Sequence, residues 1–151
     1  SEEFVKRGFK VIGIDLVDEF LEETRRKVPK GKFLKMDLLE LNFPDNYFDA
    51  IWANAVLLHI GRKDILKALE EFYRVLKENG KLHILVKKGK GSEIKKESLS
   101  KDEGRLFIYF EKKELEKLIK KTGFKIIKAK IYADQLGRRN LKWVGIWASK
   151  S

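Results

Sequence analysis

The segment that most constrains this chain is residues 48–86, which reads strand, helix, strand without a break. Phe48-Asp49-Ala50-Ile51-Trp52-Ala53 is an apolar run entered through the turn formers Pro44-Asp45-Asn46. Ile65, Leu66, Leu69, Phe72, Tyr73 and Leu76 then follow the 3.6-residue period of a helix, and Asn79-Gly80 is placed to end it. Lys81-Leu82-His83-Ile84-Leu85-Val86 is the next strand. That order predicts parallel strands joined by a crossover helix, and therefore an α/β sheet.

The flanks extend the alternation. Glu2 to Arg7 reads as the last turns of a helix that Gly8 ends, and Phe9-Lys10-Val11-Ile12-Gly13-Ile14 as a strand closed by Asp15. Asp18 can cap a helix that carries Phe20, Leu21 and Thr24 inward and stops near Pro29-Lys30-Gly31. Lys32-Phe33-Leu34-Lys35-Met36 is a short strand ended by Asp37. Residues 87–104 are polar and rich in Gly, Ser and Lys, which predicts a mobile loop, within which Gly89-Lys90-Gly91 reads as flexibility rather than a phosphate loop. Beyond it lie an extended piece over residues 107–110, a helix over 111–122 ended by Gly123, and strands over 124–132 and 142–148 joined by residues 133–140. Two adjacent strands closing a βα series predict an antiparallel hairpin on an otherwise parallel sheet.

Composition narrows the chemistry. At 151 residues the chain is the size of one domain and buries roughly two thirds of its unfolded surface, so staples are not required. It has no cysteine, which excludes disulfides, zinc thiolate and iron–sulfur sites and cysteine nucleophiles, and its two histidines, His59 and His83, argue against a dedicated metal site. No apolar run approaches the ~20 residues that cross a bilayer, and Ser1-Glu2-Glu3 is no signal peptide, so a cytoplasmic setting without membrane contact is expected. The formal charge of +11 is enough to favour anionic partners such as RNA or phosphorylated substrates, but composition alone favours the plainer account, a Lys/Glu-rich surface of the heat-adapted kind.

In an open α/β sheet ligands sit beyond the carboxyl ends of the strands, where Asp15 and Asp37 stand on successive strands. A carboxylate at the first position can accept both hydroxyls of a ribose, and one at the second can accept from the amine of adenine. Each can also serve only as a turn cap.

With these residues in place the sequence resembles the class I S-adenosylmethionine-dependent methyltransferases. The resemblance is carried by Val11-Ile12-Gly13-Ile14-Asp15, by Lys35-Met36-Asp37-Leu38 and by Phe43-Pro44-Asp45-Asn46-Tyr47-Phe48-Asp49. It continues through Ala55-Val56-Leu57-Leu58-His59 and Arg74-Val75-Leu76-Lys77-Glu78-Asn79-Gly80-Lys81-Leu82. The resemblance implies a Rossmann-like, mostly parallel sheet with S-adenosyl-L-methionine as cofactor. Under it, Asp15 binds the ribose, Leu16 packs on adenine, Asp37 takes the adenine amine and the Leu38 N–H reaches a ring nitrogen. Asn54 and His59 become the polar candidates nearest the reacting centre, with His59 alternatively a helix-start or pocket-wall residue. His83, mid-strand, is expected to be packed. The acceptor side is expected from the loop over residues 87–104 and from Arg105 and Tyr109 beyond it, although Arg105 also reads as a surface residue. Methyl transfer is an in-line displacement that alignment alone can accelerate, so no catalytic triad is needed.

One part of the family pattern is absent. No Gly-x-Gly-x-Gly turn precedes Asp15, and the pattern places roughly 30 to 50 residues, including the first and central strand, upstream of Ser1. The expectation is one N-terminally incomplete domain over residues 1–151, with methyl transfer impaired or lost in this form. A second copy filling the gap, or direct pairing of the flanking strands, would answer the open edges. Asn54-Ala55-Val56-Leu57 stands where base-amine methylating enzymes carry Asn-Pro-Pro-Tyr, which favours a small-molecule acceptor. Two other functions compete: a basic module binding RNA through Lys87, Lys88, Lys90, Lys95, Lys96, Arg138 and Arg139, and a nicotinamide-dependent enzyme using Asp15.

Overall fold

The computed structural model describes residues 12–15, 22, 26–27, 32–54, 57, 60–95, 105–133 and 141–150. The chain divides into two compact units, residues 1–42 and 43–151. In the first, β1 (Ile12–Asp15) pairs in parallel with β2 (Lys32–Lys35), Ile12 opposite Lys32 and Asp15 opposite Lys35. Parallel neighbours need a crossover, and between them Glu22, Arg26 and Lys27 are helical and exposed. The expected helices over residues 2–7 and 18–29 otherwise lie outside the described residues, as does the strand before Ile12.

The second unit holds β3 (Phe48–Asn54), a 3-10 turn (Arg62–Asp64), α1 (Ile65–Val75) and β4 (Leu76–Lys87). There follow β5 (Ser92–Lys95), β6 (Arg105–Ile108), α2 (Lys112–Thr122), β7 (Lys125–Ala133) and β8 (Lys142–Ser149). Four strands form one sheet in the order β3-β4-β8-β7, with β3 parallel to β4 and β8 antiparallel to both its neighbours. The mixed sheet with its C-terminal hairpin is the one the sequence predicts. No strand among the described residues pairs β1 or β2 with β3, so the expected direct pairing across the gap is not observed among them.

Strand alternation gives this sheet two unlike faces. Leu82, Ile84 and Val86 of β4 and Val144, Ile146 and Ala148 of β8 point to one side and are buried. The helices cover that side: α1 contacts β4, α2 contacts β7, and the helices contact each other. On α1 the buried residues are Ile65, Ala68, Leu69, Phe72 and Val75, one stripe at helical spacing; on α2 they are Leu115 and Ile119, one turn apart. Gly123 caps α2 with φ 114°, a left-handed conformation that a side chain resists, and a Cβ there would also press on the Tyr73 ring at 3.3 Å.

Two expectations are corrected. Leu76 is not the last helical residue, and Asn79-Gly80 lies inside β4 rather than ending α1. At Leu76 the backbone turns extended (φ −80°, ψ 140°) and pairs with Phe48; residues 77–80 then bulge before pairing resumes at Lys81 with Ala50. Gly80 is required in the bulge, because a Cβ there would stand 2.7 Å from the Lys77 carbonyl oxygen. Residues 87–104 are likewise not all loop: β5 pairs antiparallel with β6, from Ser92 opposite Ile108 to Lys95 opposite Arg105. Gly91 takes φ 73° in the turn before β5, where its carbonyl accepts from the Tyr109 N–H at 3.1 Å, so this glycine serves a defined turn. Residues 96–104 are outside the described set.

Arg74 ties the second unit's N-terminal turn to its first helix. Its guanidinium donates to both Glu71 oxygens, to Asp45 Oδ1 at 2.9 Å and to the Phe43 carbonyl at 2.8 Å. These hydrogen bonds, to Glu71 first and Asp45 second, raise the Arg74 pKa further above its ordinary value. The Asn46 and Tyr47 N–H groups complete the clamp by donating to the Arg74 and Val75 carbonyls, two of the acceptors a helix end leaves open.

Candidate functional site

Asp15 is the last residue of β1 and Asp37 stands two residues past the end of the parallel neighbour β2. Both acids therefore sit at the carboxyl ends of adjacent parallel strands, the position at which α/β sheets receive ligands. Asp37 is exposed and organises the turn that follows: its Oδ1 accepts from the Leu39 N–H at 2.9 Å, and its carbonyl accepts from the Glu40 N–H at 3.1 Å. It thus acts as a turn cap, and its Oδ2 is left to an outside donor. Leu38 occupies the turn itself and is half-buried. The Asp15 side chain and all of Leu16 lie outside the described residues.

The other candidates belong to the second unit. Asn54 ends β3 opposite Leu85 of β4, and Arg105 opens β6 opposite Lys95; their side chains, and all of His59, fall outside the described residues. Tyr109 is half-buried, and its carbonyl accepts from Arg62 Nη2 at 2.9 Å. Arg62 was not singled out by the sequence, yet it gathers this corner. It also donates to Glu114 of α2 and to the Gly91 carbonyl, and its guanidinium lies 5.2 Å over the Phe110 ring. No spacing rule finds such a residue, because its partners come from three separate segments. Among the described residues no group of three or more His, Asp or Glu could hold a metal ion.

His83 is packed, as expected. It is 7% exposed, stacked on Trp52 at 4.1 Å and tilted against Trp147 at 4.6 Å. Burial disfavours its charged form and pushes its pKa below the ordinary 6.5. The unfolded chain then takes up the proton more readily than the folded one. Stability is full above about pH 6.5 and is lost as pH falls from there through the lower folded-state value. Melting curves of the wild type and His83→Phe, which keeps the stack but cannot titrate, should therefore diverge as the pH drops below that point. Parallel curves would show that His83 is solvated in both states.

Residues 1–84 match the family described as a methyltransferase domain. Over 82 residues the chain is 38% identical to the demethylmenaquinone methyltransferase of Thermus thermophilus, a match covering 52% of this chain and 36% of that protein. A solved structure of an S-adenosylmethionine-dependent methyltransferase from Methanosarcina mazei is similar at TM-score 0.81 and 24% identity, covering 98% of this chain and 85% of the other. A second, 1,6-didemethyltoxoflavin-N1-methyltransferase of Burkholderia thailandensis with 1,6-didemethyltoxoflavin and S-adenosylhomocysteine bound, is similar at TM-score 0.77 and 21% identity, covering 99% and 64%. The structures establish the Rossmann-like methyltransferase fold; each match to the curated relatives spans less than half of the relative's own length. The family match takes in the strand-end acids, their parallel pair, β3, α1 and most of β4, which is more than half of the 151 residues. The chain belongs to the methyltransferase domain family.

Proposed function

We propose that this chain carries the ribose and adenine side of an S-adenosylmethionine site and serves methyl transfer to a small-molecule acceptor. The observation that carries the reading is the parallel pair β1–β2 with an acid at each carboxyl end, Asp15 and Asp37. The donor chemistry fits a nucleoside: a strand-end carboxylate for two ribose hydroxyls, and an exposed carboxylate whose Oδ1 is already spent on the Leu39 N–H, leaving Oδ2 for an amine. Leu16 packs on adenine and the Leu38 N–H reaches its ring. When bound, the cofactor supplies an activated methyl group on a sulfonium. Asn54 and His59 are then the polar groups assigned to the acceptor's reacting atom, and Arg105 and Tyr109 its holders. Their work is orientation, which suffices for an in-line displacement when the acceptor is already nucleophilic.

Small acceptors named for two similar proteins, demethylmenaquinone and 1,6-didemethyltoxoflavin, support that acceptor class. A cytoplasmic setting completes the proposal; none of the described helices is long and apolar enough to cross a membrane. Among the described residues β3 lies at the end of its sheet, and a second copy pairing along that strand is part of the proposal.

Calorimetric titration with S-adenosylhomocysteine tests the site. Micromolar binding is expected, weakened about tenfold to a hundredfold by Asp15→Ala and less by Asp37→Ala, since a charge-assisted hydrogen bond is worth about 1.5–3 kcal/mol. Absence of heat at millimolar ligand, with the protein folded, would remove the proposal for this chain.

A further inference from the structure

Two segments of the second unit carry the residues assigned to the acceptor. Asn54 ends β3, and His59 follows it in the stretch that runs to the 3-10 turn at Arg62–Asp64. Arg105 opens β6, and Tyr109 comes directly after its last residue. Each segment has its own anchor. On the first, Leu57 is fully buried, its carbonyl accepts from the Ile60 N–H at 3.1 Å, and the Gly61 carbonyl accepts from the Asp64 N–H at 2.8 Å. On the second, Phe110 is fully buried; its N–H donates to the Lys87 carbonyl and its carbonyl accepts from the Gly89 N–H, both at 3.0 Å. A Cβ at Gly89 would stand 3.0 Å from Tyr109 Cβ, so glycine lets the root of the Tyr109 side chain settle on that backbone.

Arg62 bridges the two anchors, and every nitrogen of its guanidinium is used. Nε and Nη2 donate to Glu114 Oε1 in the first turn of α2, Nη1 to the Gly91 carbonyl at 3.3 Å and Nη2 to the Tyr109 carbonyl at 2.9 Å. Gly91 and Tyr109 flank the paired strands β5 and β6, so these two carbonyls mark the base of that pair. The Arg62 and Glu114 side chains are 39% and 37% exposed, and an ion pair that water reaches contributes little by itself. The carbonyls give the residue its specificity. A point charge satisfies one carboxylate, but three acceptors from three segments need a planar fork of donors, which lysine lacks.

We propose that Arg62 is a positioning residue of the acceptor side: it sets Tyr109 and the base of the β5–β6 pair against the segment that carries Asn54 and His59. What those segments hold rests on the methyl-transfer reading above; that Arg62 joins them rests only on its contacts. An in-line displacement depends on alignment, and a misplacement of about 1 Å costs on the order of a hundredfold in rate.

The test labels the rings of the chain's four tyrosines with carbon-13 and assigns Tyr109 by the signal lost in Tyr109→Phe. Arg62→Lys keeps the charge, yet should shift the Tyr109 ring signal and speed exchange of the Tyr109 amide about tenfold, as loss of a hydrogen bond from a charged donor predicts. The Tyr73 and Tyr132 signals and the β4 amides should hold. In Arg62→Ala, millimolar methylguanidinium should return the Tyr109 signal and methylammonium should not, a response that general loosening of the fold would not give. Glu114→Gln keeps an oxygen for Nε and Nη2 and leaves both carbonyl contacts, so it should move Tyr109 less than Arg62→Lys does. An unmoved Tyr109 in Arg62→Lys would reduce Arg62 to a surface ion pair and overturn the proposal. So would equal effects of Glu114→Gln and Arg62→Lys, or faster exchange throughout β4 and β8. Titration of the wild type with S-adenosylhomocysteine keeps the two readings apart. Heat of binding with an unmoved Tyr109 sinks the role of Arg62 alone, whereas a moved Tyr109 without heat upholds Arg62 as the joint and sinks the cofactor site.

Discussion

Lys150→Ala is expected to cost about 2–4 kcal/mol, a large share of the stability of a domain this size. Lys150 is 6% exposed, and its ammonium donates to the Leu76 carbonyl at 2.8 Å and to Asn46 Oδ1 at 3.0 Å while lying 4.7 Å over the Tyr73 ring. Its backbone is engaged as well: the N–H donates to the Gly80 carbonyl and its own carbonyl accepts from the Asn79 N–H. The side chain thus joins the turn before β3 to the last turn of α1 and the start of β4, while the backbone holds the bulge of β4. Alanine would leave the Leu76 carbonyl without its charged donor in a buried place, which costs more than the hydrogen bond itself contributed. Asn46, held at φ 55°, would lose a contact that helps keep it in the left-handed region. Lys150→Met keeps most of the stem's packing and should recover only part of the loss. Urea denaturation of the three proteins reads this directly, and a change below about 0.5 kcal/mol for the alanine variant would show that the ammonium holds nothing together.

The features that the sequence discloses here are those with local periodicity. β3, α1, the core of β4, α2 with its Gly123 cap and the closing hairpin all follow from alternation, helical spacing and turn residues. The strand-end acids were legible for the same reason, since β2 is a short run, Phe33 and Leu34 between lysines, and Asp37 follows two residues after it. Long-range contacts were not legible. Leu76 continues the helical stripe of Phe72 by spacing alone, and only pairing with Phe48 makes it extended. Ser92-Glu93-Ile94-Lys95 has one apolar residue and becomes a strand because β6 lies beside it. Arg62, Arg74 and Lys150 look like surface charges in a lysine-rich sequence, yet each gathers partners from distant segments. The two faces of the sheet were also indistinguishable, because Lys142-Trp143-Val144-Gly145-Ile146-Trp147-Ala148 places large apolar side chains on both sides.

That last ambiguity gives the second large effect, a comparison of two adjacent residues. Ile146 is 0% exposed, sits between Ile84 and Ala129 on the helix-covered side, and as alanine should cost about 3–4 kcal/mol through lost burial and an unfilled cavity. Trp147 is larger but points the other way, where its ring is half-buried between His83 and Tyr132. Water already reaches part of it, so Trp147→Ala should cost only about 1–2 kcal/mol, close to the value of its aromatic contacts. The order is therefore inverted relative to size. Chemical denaturation of both variants decides it, with the slope of the transition checked for constancy. A Trp147→Ala loss of about 3–5 kcal/mol, the figure for a fully packed tryptophan, would mean that polypeptide covers this face in solution.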